Sequence, residues 1–383
     1  MMIKKLLSES LISVYNNHKI NEGPEDHPEA RAKCVTPESL AKDMNRELDR
    51  INTMAKDRVS RGVKDVIYHK KQIQAVINKE GGLDVEKFKN LITELPKVIF
   101  DKNPKMEKSD KGKSQFTVNT GLPAISGIVY DKSDGEFKHI NTCPGAGSCQ
   151  LVCYARKGFY GMNDGKILKL IRRLNLLWND PEEYYHMIMD ELEPIAVKLK
   201  RQGRRSGEVD QLVIRWNDAG DFFSETYFNI AKKVTEDLLG DGYDVKSYAY
   251  TKQAKFVNLA GDKFIMNFSK GSAPKQLKQV DLEKVKYSDI VPKDLFKQVF
   301  NWKGPHAVKD ENGLPTFVDG GKEKLKQIIS KEYDVPLKRL KYQFELPNEE
   351  GDKFQYDVIV LPTGDSDIGA QRNDVQKTFL LVH

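Results

Sequence analysis

Apolar residues follow two rhythms along this chain. Up to about residue 100 they recur every three or four positions, the spacing of helices with one buried face. Residues 3–15, "IKKLLSESLISVY", put Ile3, Leu6, Leu7, Leu11, Ile12 and Val14 near one face of a short helix, which Gly23, Pro24 and Pro28 break. The stretch "TPESL" opens the next helix, with Thr36 placed to cap, Pro37 at the first helical position and Ser39 in the first turn. Charged, helically periodic sequence then runs to residue 100 and predicts two or three helices. Residues 101–115, "DKNPKMEKSDKGKSQ", are charged, carry a proline and a glycine, and predict a linker or loop.

Beyond that point β-type runs alternate with helical ones. "LPAISGIVY", "QLVIRWN", "VKSYAYT" and "KFIMNFSK" are interleaved with "KILKLIRRLNLLWN", "PEEYYHMIMDELEPIAVKLKRQ", "SETYFNIAKKVTEDLLG" and "KQAKFVNLAG". Strand and helix in alternation predict an α/β fold with a parallel sheet, open or closed into a barrel, behind a helical N-terminal extension. The chain divides into residues 1–22, a targeting or propeptide helix, residues 23–105, a helical region, and residues 106–383, the α/β domain.

Functional groups in such folds collect where strands end. After "QLVIRW" come Asn217, Asp218 and Asp221, after "SYAY" come Thr251 and Lys252, and after "IMNF" come Ser269 and Lys270. The last apolar run, "YDVIVLP", leads into Asp365, Asp367 and Arg372. Arg215 alternates with Ile214 and Trp216, which places it either in a barrel interior, the favoured position, with Asp218 or Asp365 as its partner, or on an outer face under a helix. Asp221 is also placed to cap the helix that follows, and Lys252 to start one in solvent.

Composition narrows the class. Hydrophobic residues make up 39% of the 383 and charged residues 31%, as expected of a globular protein, and a net charge of +6 permits a polyanionic partner without requiring one. No apolar run reaches the roughly 20 residues of a membrane span, and the N-terminus lacks a secretory pattern. The four cysteines are therefore expected in a reducing compartment, where clustered thiols bind metal more often than they pair.

Three of those four lie in "CPGAGSCQLVC", at Cys143, Cys149 and Cys153, on a polar loop relaxed by Gly145 and Gly147. A site with three protein ligands leaves one coordination position for water or substrate, whether the centre is zinc or an iron–sulfur cluster. The only nearby histidine is His139, and three cysteines without a clear histidine partner favour iron and sulfur, with zinc as the alternative metal and buried inert cysteines or redox thiols as the readings without one. Cys34 is remote and reads as a bystander. Arg156, Lys157, Phe159 and Tyr160 follow the loop, a basic and aromatic mixture suited to nucleic acid or a nucleotide, or to packing over the sheet.

"CPGAGSCQLVCYARKGFYG", followed by "RRLNLLWNDP" and "IRWNDAGDFFSETYF", resembles the phage gene product 88 family and, more distantly, the phage gene product 37/68 family. The resemblance runs from about residue 115 to 270 and resumes at "DVIVLPTGDSDIGAQRNDVQKTFLLVH". It implies a fold similar to the radical S-adenosylmethionine (SAM) enzymes, a partial or complete α/β barrel with a cluster on the loop after its first strand. Cys143, Cys149 and Cys153 would then hold a 4Fe-4S cluster and SAM would take the remaining iron. Arg215, Asn217, Asp218, Asp221, Thr251, Lys252, Ser269 and Asp365 would line the cofactor site, Asn217 and Asp218 accepting from the amine or ribose and Lys252 pairing with the carboxylate. The spacing of five and three residues between cysteines departs from the three and two usual in radical SAM enzymes.

"KINEGP" resembles the cut site of phage head-maturation proteases through Ile20, Glu22 and Gly23, as do Leu7, Glu9 and Ser10, which would place the protein in the virion head as well as the host cytoplasm during infection. Three functions follow: a radical SAM-like enzyme acting on nucleic acid, a nucleotide or another substrate; a non-catalytic metal-containing module whose helical region binds a capsid or host protein; and a zinc-dependent hydrolase using the thiolates with Asp218. The absence of the His-x-Glu and Cys-x-x-Cys pair of nucleic-acid deaminases weighs against the third.

Overall fold

A computed structural model describes residues 32–53, 70–101, 106–107, 110, 115–153, 155, 164–206, 211–259, 261, 263–291, 297–304, 306–308, 310, 316–342, 345–346, 358–361 and 367–381. Residues 1–22, Arg156, Lys157, Phe159, Tyr160 and Asp365, for which the sequence sets expectations, lie outside them.

The strands are β1 (Lys33–Val35), β2 (Gln115–Asn119), β3 (Ser126–Asp131), β4 (Glu136–Asn141), β5 (Gln211–Trp216), β6 (Val245–Thr251), β7 (Phe264–Ser269), β8 (Tyr287–Val291), β9 (Trp302–Lys303), β10 (His306–Ala307), β11 (Leu340–Tyr342), β12 (Val358–Leu361) and β13 (Val375–Leu381). The helices are α1 (Pro37–Thr53), α2 (Lys70–Val76), α3 (Val85–Thr93), α4 (Asp164–Asn179), α5 (Pro181–Ser206), α6 (Glu225–Gly240), α7 (Ala254–Val257), α8 (Pro274–Leu277), α9 (Gly321–Tyr333) and α10 (Ile368–Gln371). Helix α1 starts as its sequence predicts, with the Thr36 hydroxyl accepting from Ser39 N–H at 3.2 Å.

Eight strands form one sheet in the order β11-β12-β13-β8-β7-β6-β5-β2, and every neighbouring pair is parallel. The predicted α/β parallel sheet is there. It is open: β2 and β11 are its two edges, and the closed form of the barrel is not seen among the described residues. Five strands follow chain order from β2 to β8, after which β13 takes the place beside β8 and the last three strands run backwards. "YDVIVLP" is thus not the last strand, because "VQKTFLL" inserts between it and β8.

The predicted linker ends as β2, and "LPAISGIVY" does not join the parallel sheet. Its β3 pairs with β4 and β1 in a separate antiparallel sheet of order β1-β4-β3. Helices α1, α2 and α3 share a core with that sheet through Leu40, Met44, Ile73, Val76, Phe88, Ile92, Ile128 and Phe137.

The alternation along β5 sets the two faces of the parallel sheet. Leu212, Ile214 and Trp216 join the main core with Leu192 of α5 and Phe228 and Leu238 of α6, while Val213 belongs to a small cluster with Tyr248, Ile265 and Ala370. Beside that cluster the second face is also polar. It carries Asn119, Arg215, Tyr250 and Asn267, and α10 lies over it, with Asn267 Nδ2 donating to Ala370 O at 3.1 Å. Lys286 is buried beside α10 and donates through Nζ to the carbonyls of Gly369 at 2.7 Å and Arg372 at 2.9 Å, and to that of Val375. Edge strand β2 is covered by backbone pairing between Asp101 and Asn119 and by the Asp110 carboxylate, which accepts from Thr117 N–H at 2.7 Å.

Candidate metal centre

The cysteine loop leaves β4 and precedes α4, in the connection between the first two strands of the parallel sheet, β2 and β5. Cys149 sits in a short 3₁₀ turn, Ser148–Val152, and Cys153 ends it.

The loop rests on the carboxyl ends of three strands. After β5, the Asp221 N–H donates to Thr142 O at 2.8 Å, one residue ahead of Cys143. After β6, the Lys252 carbonyl oxygen lies where it would be 2.3 Å from a Cβ on Gly145. After β7, Gly147 N–H donates to Gly271 O at 3.0 Å, Ala273 N–H donates to Gly145 O at 2.9 Å, and a Cβ on Gly271 would meet the Cβ of Cys149 at 2.9 Å. Glycine at 145, 147 and 271 is therefore a packing requirement, since any side chain would push the loop off the strand ends.

Cys143 is buried and its Sγ accepts from Ile125 N–H at 3.3 Å. Ile125 adopts a φ of 69°, a left-handed backbone that a β-branched residue rarely holds, and Asn217 has a φ of 59°. Of the two, Ile125 is the strained one, and it donates to the Cys143 sulfur. Burial pushes the Cys143 thiol up to about 12 and raises that of Cys149, and in each case the nearby Lys252 charge pulls the other way. The thiols also feel one another, Cys143 with Cys149 and Cys149 with Cys153.

In kind, three sulfur donors beside a cation fit a thiolate-held centre, which would have to displace the thiol protons on binding. In arrangement they are not gathered: among the described residues no three Cys, His, Asp or Glu side chains are grouped to hold a metal ion. His139 lies on β4 across from Lys33 and Ile128, and burial lowers its pKa. Cys34 is exposed on β1.

Residues 97–332 match the gene product 88 family. The chain belongs to that family of bacteriophage proteins. No curated protein and no solved structure matches. Among the described residues no helix is long and apolar enough to cross a membrane.

The expected strand-end residues divide between the loop's seat and the interior. Asp221 is fully buried; its Oδ1 accepts from Phe222 N–H and Thr251 Oγ1 at 2.8 Å each, and its Oδ2 accepts from Lys252 N–H at 2.8 Å. It does not cap α6, because Ser224 does, accepting from Tyr227 N–H at 3.2 Å. Burial raises the Asp221 carboxyl against the opposing Lys252 charge. The Ser269 carbonyl accepts from Ser272 N–H at 3.0 Å, shaping the turn under Gly147.

Three others turn inward. Asn217 Oδ1 accepts from Tyr227 OH at 2.8 Å in the helix-covered core, and Asp218 accepts from Asn119 Nδ2 at 2.8 Å with Lys166 Nζ at 3.9 Å. Arg215 faces the second side of the sheet, which α10 overlies, and pairs there with Asp367 at 3.2 Å. Tyr248 OH also donates to Asp367, at 3.1 Å. Sequence reasoning missed Gln253, Ile125 and Gly271 of the seat. Of these only Gly271, in the small-residue run "GSA" after β7, left a signal.

Proposed function

We propose that this phage protein holds an iron–sulfur centre on Cys143, Cys149 and Cys153 and works as a radical SAM-like enzyme on nucleic acid or a nucleotide in the infected host cell. The observation that carries this reading is the seating of one three-cysteine loop across the carboxyl ends of β5, β6 and β7. That is where parallel α/β folds place their chemistry. Cys143, Cys149 and Cys153 would hold a 4Fe-4S cluster, which would supply one-electron chemistry for splitting a carbon–sulfur bond of SAM. The chain's own part is to hold the three sulfurs on a braced loop, to put the Lys252 cation beside them, and to exclude water through the buried position of Cys143.

Anaerobic purification with iron, sulfide and zinc analysis tests the centre. Brown protein that bleaches with dithionite and cleaves SAM is the expected result; colourless protein carrying one zinc overturns it.

A second reading, the non-catalytic metal-containing module, draws on the second face of the sheet, where α10 and the Arg215–Asp367 pair fill space that a substrate would need. Metal without SAM binding would favour it. The zinc hydrolase has less support, since the carboxylate it needs, Asp218, is engaged with Asn119.

A further inference from the structure

We propose that Asp221 is the positioning residue of the cysteine loop, fixing with one side chain and one backbone amide both the approach to Cys143 and the surface on which Gly145 rests. The carboxylate form and the buried site of Asp221 are otherwise hard to account for. It does not cap α6, and beyond its neighbour Phe222 its polar contacts with Thr142, Thr251 and Lys252 lead to the loop or its seat.

The chain of contacts is short. The Asp221 N–H holds Thr142 O at 2.8 Å, and Thr142 N–H in turn donates to Ile125 O at 3.1 Å, so the residue ahead of Cys143 is tied on both sides. The carboxylate takes Lys252 N–H and the Thr251 hydroxyl, each at 2.8 Å, and Thr251 Oγ1 accepts from Gln253 N–H at 3.1 Å. Those bonds fix the 251–253 turn. Its Lys252 carbonyl is the wall that Gly145 touches, and its Lys252 side chain is a cation whose charge acts on Cys143 and Cys149. Three donors converge on two acceptor oxygens, so an amide would turn its own NH₂ toward at least one of them. The geometry calls for a carboxylate.

The test reads thiol protection in the metal-free protein. Iodoacetamide alkylation of Cys143 and Cys149 is followed by mass spectrometry against the exposed Cys34 as internal reference. Asp221→Asn is expected to raise the Cys143-to-Cys34 rate ratio about tenfold or more, as loss of charge-assisted hydrogen bonds that hold a local structure shut should do. Thr251→Val, which removes one of the three donors, is expected to raise it by a smaller factor; it decides the question if Asp221→Asn fails to fold.

The metal arm rests on the proposed function: in anaerobically reconstituted protein, Asp221→Asn should change the visible absorption and electron paramagnetic resonance of the centre. If the parent protein takes up no iron, the proposed function fails while the alkylation ratio still judges Asp221. An unchanged ratio in both variants overturns the inference. So does an equal rise at Cys143, Cys149 and Cys34, the mark of general loosening.

Discussion

Gly145→Ala isolates the seat of the cysteine loop. The new Cβ would lie 2.3 Å from Lys252 O, 2.6 Å from Lys252 C and 3.0 Å from Gln253 Cγ, whereas ordinary contact begins at 3.4 Å. The two sides must part by about 1 Å. The strand side is held by Asp221 and Thr251, so the loop gives way and strains its bonds to Ala273 N–H and Gly271 O. Overpacking of this kind costs about 1–3 kcal/mol, and each loosened hydrogen bond about 1 kcal/mol more. The cost is local. Hydrogen exchange of the 142–150 backbone should accelerate by at least about tenfold, since 1.4 kcal/mol is a factor of ten, and metal recovered after anaerobic reconstitution should fall. Gly240→Ala is the control, because no atom lies within 4 Å of a Cβ there. Parental exchange and parental metal content in Gly145→Ala would refute the claim that the loop is pressed onto the strand ends.

Other expectations concern the frame. Lys286→Met strips a buried ammonium from three carbonyls and should destabilise by about 3–5 kcal/mol in urea denaturation. Asp367→Asn removes the buried carboxylate charge that pairs with Arg215 and should cost about 3 kcal/mol, part of which Arg215→Leu added in the same chain should recover, as read by thermal unfolding. The Arg173, Lys166 and Lys169 cations beside Asp101 outweigh its burial and hold its carboxyl at about 2 against an ordinary 3.8. Its folded pKa is depressed, so its stabilisation of about 2 kcal/mol is present above pH 4 and lost as pH falls through about 2, and Asp101→Asn should flatten the acid limb of the stability curve. Lys252→Met should lower the reduction potential of the reconstituted centre by removing a neighbouring positive charge, with Lys252→Arg restoring it, as read by redox titration.

The sequence carried the local elements because their determinants are local. Thr36 and Pro37 mark the start of α1 through capping chemistry within four residues, and strand and helix alternate in the written order from β5 to β7. The cysteines announced themselves by density and spacing. What stayed hidden were choices made between distant segments. Nothing near residue 375 says that β13 will lie between β8 and β12, because strand order follows from which apolar faces bury together. Asp221 looked like a helix cap, and the competition was settled by Ser224 at the cap position and by donors from β6 thirty residues away. Asn217 and Asp218 looked like ligands at a strand end, yet a left-handed backbone at Asn217 and partners on α6 and β2 turn both into the protein. Sequence alone determined that this is an α/β protein with a cluster of thiols on a glycine-relaxed loop. Only the tertiary structure decided where that loop sits and which residues brace it, because a hydrogen bond across thirty or a hundred residues leaves no periodic trace in the chain that makes it.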